Sequence, residues 1–237
     1  MPPAAAGRTA VPRARRDASP GQSCPACQNA ARSGTVHDPV PVYTQYQSPG
    51  AIAAIAYRGA DPADDPLWHR SGAASPAEYA YWCRHACGMA CLQMVLHHRD
   101  GRTPPLLDLF YGCAGHGGYV RQPDGRVHGL IYAPFAAYAR AEHGLAAAVH
   151  RELPLAGLRA ELDRGRLVMA SVHPEIRRPG RPAPGRGGHL VLVIGHDSRG
   201  LHFRNPSGHT AAARCAVLPG EVFASFYAGR GVALRPR

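Results

Sequence analysis

Two apolar rhythms divide the chain. Between residues 51 and 144, apolar positions recur mostly at the three-to-four spacing of helices with a buried face. "AIAAIAY" is a short apolar helix that follows the extended segment "PVPVYTQYQSPG" (39–50). "SPAEYAYW" opens the next, with Ser75 as N-cap, Pro76 in the first helical position and Glu78 completing a capping box. Then come the helix "CGMACLQMVLHH", a Pro-started helix around "PPLLDLF" and another in "APFAAYARAEHG" (133–144). After residue 144 the pattern changes: "AAAVHREL" and "LVMASVH" read as strands, with the helix "LAGLRAELDRG" between them. "HLVLVIG", a tight "HDSRG" connection and "LHFRNP" form a hairpin. A helix in "GEVFASFYAG" and a strand "GVALRP" close the chain. Helices first and strands second argue an α+β fold, an N-terminal helical subdomain packed on a C-terminal antiparallel sheet.

Residues 1–38 are rich in Ala, Pro, Arg, Gly and Ser, lack apolar periodicity, and read as a disordered leader; 39–237 read as one domain. The leader has no apolar stretch of a secretory signal, and no run in the chain has the length of a membrane span. Seven cysteines without a spaced framework favour a reducing, cytoplasmic setting. "CPAC" places Cys24 and Cys27 at zinc-knuckle spacing, but a structural zinc site wants four ligands and no second such pair exists.

The formal charge of +11 changes little once it is located. Residues 1–38 carry five Arg against two Asp, and the loop 174–188 carries four Arg against one Glu. Flexible segments hold much of the excess, and no aromatic residues interleave with it as single-strand binders require. Nucleic acid is therefore not the expected partner, nor is a membrane. All 27 basic residues are arginine. Without lysine there is no Walker phosphate loop and no pyridoxal Schiff base, and no cofactor is expected. Four Arg just before His189 suggest a carboxylate-bearing substrate, although a solvated loop explains them as well.

In "WCRHACGMACLQMVLHH" (82–98), Cys83, Cys87 and Cys91 recur every four residues. A row on one continuous helix cannot close a tetrahedron around a metal, so none is expected there. Cys83 and Cys91 read as small core hydrophobes. Cys87 differs because Gly88 follows it where the apolar periodicity begins. Its sulfur then sits at a helix N-terminus, where the dipole and free N–H groups favour thiolate. Gly88 would let a substrate carbonyl approach the backbone, and a backbone N–H there can face an oxyanion. A thiol nucleophile needs a base. His189 begins the apolar run "LVLVI", and Asn205 ends the next strand. If 195–200 is the hairpin connection, His189 lies opposite Asn205 or Pro206, within reach of an amide that would fix its tautomer. A one-residue slip would place the two on opposite faces. His196, His202 and His209 read as turn or surface histidines, and "CAGHGGYV" (113–120) as a glycine-rich loop.

Cys87 in "ACGMACLQMVL", His189 in "GGHLVLVIG" and Asn205 in "FRNPSG", in this order and context, resemble the C39-like branch of the papain-like cysteine peptidases over roughly residues 39–237. The resemblance implies a papain-like α+β fold, a Cys87–His189–Asn205 triad and an oxyanion-hole Gln upstream of the Cys. That Gln is not in its usual place. Gln45 in "PVYTQ" is the preferred candidate, with Gln47 and His85 as alternatives. The expected activity is hydrolysis of a peptide or amide bond through an acyl-thioester. The same acyl-enzyme could pass its acyl group to an amine, and a non-catalytic binding module is the third alternative.

Overall fold

The computed structural model describes residues 34–37 and 39–236; Cys24 and Cys27 lie outside the described residues. The helical half begins with α1 (Ile52–Tyr57) and α2 (Pro76–Cys83). The Ser75 side chain accepts the Glu78 N–H at 3.2 Å, while Glu78 reaches back to the N–H of Ala74, one residue before the cap. α3 (Cys87–Asp100) is the central helix. Every residue from Gly88 to Leu96 is buried, so it is apolar almost all round rather than along one stripe. Gly101 closes it in the left-handed region (φ 74°), its N–H returning to the carbonyl of His97 at 2.9 Å. α4 (Leu106–Gly115) packs beside it, and α5 (Tyr132–His143) packs beside α4. α4 runs further than expected and takes Cys113, Ala114 and Gly115 out of the anticipated loop.

The second half supplies β1 (Ala146–His150), α6 (Leu155–Asp163), β2 (Leu167–Val172), β3 (His189–Asp197) and β4 (Gly200–Arg204). Then follow α7 (Ala211–Arg214), β5 (Cys215–Leu218), α8 (Gly220–Phe226) and β6 (Tyr227–Arg235). The strands form one antiparallel sheet in the order β1-β6-β2-β3-β4-β5. Leu190, Leu192 and Ile194 join the core under α3 and α4, while Val191 and Val193 join a second core with Leu158 of α6 and Phe223 of α8. The sheet is therefore covered on both faces, not on one. That is why β2 and β3 read as unbroken apolar runs, with no polar face to alternate with the core.

Two expectations change here. The cysteines do not lie on one helix: α2 ends at Cys83, a turn takes Arg84 to Ala86, and α3 starts at Cys87. Among the described residues no cluster of three or more His, Cys, Asp or Glu could hold a metal. The end of the expected leader is also folded. Thr35 accepts the N–H of His196 and His37 donates to the carbonyl of Ile194, both at 2.8 Å, so residues 35–37 pair with β3 where β2 has ended.

Candidate active site

The turn Arg84–Ala86 carries the site because it restarts the helix and leaves Cys87 in the first turn of α3, behind the cap residue Ala86. Gln45 anchors this turn. Its Nε2 donates to the carbonyls of Cys83 (2.9 Å) and Arg84 (3.3 Å), and its backbone N–H donates to Pro206 O at 3.0 Å. Gln45 thus ties the segment before Cys87 to the segment that carries Asn205. Gln47 faces a different pocket, beside Pro49 and Arg70.

Cys87 and His189 line one cleft of about 170 Å³. Burial pushes the Cys87 thiol up, and the nearby backbone of Leu190, Gly88 and Cys87 itself, which pulls it down, does not outweigh burial. Leu190 is the residue after His189, and its carbonyl accepts from the Cys91 thiol at 3.8 Å, which ties the start of β3 to α3. Gly88 does not leave room for substrate, as expected from the sequence. A Cβ there would lie 2.8 Å from Leu130 Cδ2 and 3.1 Å from the Tyr119 hydroxyl, so the protein's own side chains occupy that space.

His189 is 6% exposed and Asn205 fully buried. The imidazole Nε2 meets Asn205 Oδ1 at 2.9 Å, which makes Nε2 the protonated nitrogen and leaves Nδ1 as the acceptor. Burial, with the Arg177 and His173 charges adding to it and the Asn205 bond opposing, lowers the imidazole to about 4. At neutral pH the empty site therefore holds a thiol and a neutral imidazole.

The pairing that brings Asn205 to His189 is not the one expected. β3 runs to Asp197 and β4 starts at Gly200, so the connection is 198–199 rather than 195–200 and Asp197 faces Gly200. A bulge between Val193 and Gly195 takes back one residue of this shift, and β3 pairs Leu192 with Arg204. Continued toward His189, this register reaches Ser207 rather than Asn205 or Pro206. Asn205 arrives by another route. β4 ends at Arg204, and Asn205-Pro206-Ser207 folds into an Asx turn in which Oδ1 accepts the Ser207 N–H at 3.0 Å. The turn swings the amide back onto the histidine and repairs the shift. It also recruits Ser207, whose Oγ lies 3.0 Å from His189 Nε2 and 3.2 Å from Asn205 Oδ1. Sequence reasoning missed Ser207. The available signal was "NPS", an Asx-turn sequence at the end of a strand. Asn205 Oδ1 is thereby saturated, while its Nδ2 is buried without a partner.

Of the other histidines, expected in turns or on the surface, His202 is instead buried on β4, His196 lies half-buried on β3 and His209 is half-buried. His196 pairs with Asp163 at 2.9 Å, His202 with Asp197 at 3.0 Å, and His209 stands edge-on to Tyr57. His85 lines the cleft beside Cys87; burial, then the Arg84 charge, lowers its pKa and keeps it neutral. The loop arginines are partly engaged: Arg177 and Arg178 pair with Glu175 and lie over the Tyr57 ring.

Cys87 at the head of the central helix and His189 at the start of a strand line one cleft of an α+β fold. Two solved structures are similar to the chain. One, from Bacillus anthracis, is described as a C39-like peptidase; it shares 14% identity over 65% of this chain and 90% of its own, with a TM-score of 0.45. The other is the peptidase domain of Streptococcus ComA, a bi-functional ABC transporter involved in a quorum-sensing pathway. It shares 14% identity over 65% of this chain and 93% of its own, with a TM-score of 0.41. No protein-family model and no curated protein matches the chain. Among the described residues no helix is long and apolar enough to cross a membrane.

Proposed function

We propose that the protein is a cysteine hydrolase that cleaves a peptide or amide bond through a thioester on Cys87. The observation that carries this reading is the buried His189–Asn205 pair, whose histidine lines the same cleft as Cys87. His189 Nδ1 takes the thiol proton as sulfur attacks the carbonyl, and the resulting imidazolium then protonates the leaving amine. Water, activated by the same nitrogen, resolves the thioester. Asn205 and Ser207 keep Nε2 occupied and so fix the tautomer that leaves Nδ1 basic.

The oxyanion forms against the N–H of Cys87. Gln45 is the side-chain partner: its second hydrogen is held only by the 3.3 Å bond to Arg84 O and is the one an oxyanion can draw away. Gln45→Ala should lower kcat about 10²-fold with KM little changed, the usual loss for one oxyanion donor. A change confined to thermal stability would leave Gln45 a purely structural anchor and pass the role to His85.

Asn205→Asp gives a second test. A carboxylate can accept the same three hydrogen bonds, removes the unpartnered Nδ2 and stabilises the imidazolium. The acid limb of the rate profile should move up by about one to two pH units; an unmoved limb would mean that His189 does not set it. The overall reaction is tested with p-nitrophenyl acetate, with and without glycinamide. Acetate released from a Cys87 thioester identifies a hydrolase, N-acetylglycinamide identifies acyl transfer, and the absence of a Cys87 thioester contradicts both.

A further inference from the structure

We infer that the cleft beside Cys87 recognises a carboxylate on the substrate through Arg230, with Arg84 as a second cation. This deepens the hydrolase reading and rests on it. Arg84 and Arg230 both line the cleft, together with Cys87 and His189, and no Asp or Glu shares that lining. Among the described residues neither forms an ion pair with a carboxylate, whereas Arg177 and Arg178 are already paired with Glu175. Two arginines thus line a small cavity whose lining holds no counter-charge. An arginine fork is suited to a bidentate bond with an incoming carboxylate.

Arg230 also has defined neighbours. Tyr132 and Ser171 line the same cleft, and burial raises the Tyr132 hydroxyl pKa while the neighbouring Ser171 and Arg230 side chains lower it. Ser171 is only 4% exposed and sits on β2 opposite Leu190, so this side of the cleft is built on the sheet. The turn "GRGG" before His189 leaves space for it. Gly187 adopts φ +81°, and a Cβ there would lie 3.3 Å from Arg230 Nη2 and 3.2 Å from Ser171 Oγ. The same bare glycine that delivers the chain to His189 therefore gives Arg230 its place.

Two pairs of esters test the inference and separate the two sources of a carboxylate. Mono-p-nitrophenyl glutarate and its methyl ester differ on the acyl side; 4-acetoxybenzoate and its methyl ester differ on the leaving side. Each forms a thioester at Cys87 and releases a phenolate, and peptide mapping compares Cys87 with the exposed Cys215 in the same chain. At about pH 7.5 His189, held near 4, is neutral and adds no charge of its own. The carboxylate member of one pair should acylate Cys87 about tenfold faster than its methyl ester, relative to Cys215. Arg230→Gln should abolish the preference and Arg230→Lys should keep part of it. A preference in the first pair places the carboxylate on the acyl side, and in the second on the leaving side. Equal ratios at Cys87 and Cys215 in both pairs would overturn the inference, as would a preference that survives Arg230→Gln combined with Arg84→Gln. Acylation of Cys87 without preference removes only the specificity. Acylation by none of the four esters removes the hydrolase reading with it.

Discussion

Cys87→Ala is expected to lower turnover by roughly 10⁴-fold or more, the scale on which loss of a covalent nucleophile is felt. Neither neighbouring thiol can substitute. Cys83 is buried at the end of α2, with burial pushing its thiol up to about 12, and Cys91 lies a turn deeper in the core, also pushed up. The fold should survive. Cys87 is only partly buried, and removing one sulfur from the edge of the core costs on the order of 1 kcal/mol. Activity assays with thermal unfolding on the same sample check both halves. Retention of full activity on an authentic substrate would end the assignment of Cys87.

His189→Gln has the second large effect, and it acts on two observables. Without a base, acylation of the neutral thiol should fall by roughly 10³-fold or more. Stability should change in the opposite sense at low pH. The folded imidazole, at about 4, lies below its ordinary value of 6.5. Between these values the unfolded chain binds a proton that the folded protein does not. Wild-type stability is therefore fully present above about pH 6.5 and is lost as pH falls through 4, by roughly 3 kcal/mol from this group. Glutamine does not titrate, so denaturant midpoints of the variant should fall less steeply than those of wild type across that window. Parallel curves would mean that the buried imidazole is protonated without penalty.

The elements were readable where local signals govern them. Ser75-Pro76-Glu78 marks a helix start in any context, and the unbroken run after "GRGG" announces a strand that begins at His189. The breaks were harder. "WCRHACG" carries no proline or cap that separates Cys83 from Cys87; the turn between them is held from outside, by Gln45, thirty-nine residues upstream of Arg84. Gly88 was read as space for a substrate because the side chains that fill that space, Leu130 and Tyr119, arrive from a distant loop. β5 is only four residues long and depends on pairing with β4, so no pattern of its own reveals it.

The candidate site was legible for a reason that partly failed. His189 and Asn205 were placed together by an assumed connection at 195–200, whereas the strands run on to Asp197 and Gly200, and the bulge at Val193/Gly195 takes back only one residue of the shift. They still meet because the Asn205–Ser207 turn replaces strand pairing with a local side-chain bond. Arg230 left no such trace. It lies between two glycines near the C-terminus, and only the closed sheet brings β6 beside β2.

The most direct measurement is the pH dependence of Cys87 acylation by p-nitrophenyl acetate in wild type and His189→Ala, read by peptide mapping with Cys215 as the internal reference. If His189 activates a neutral thiol, Cys87 acylates in the wild type on a plateau that falls only as pH drops through about 4. In the variant it acylates only as its own thiol ionises, above the ordinary thiol value of about 8.5. The same profile with and without His189 would contradict the pairing and make Cys87 one more thiol of the core.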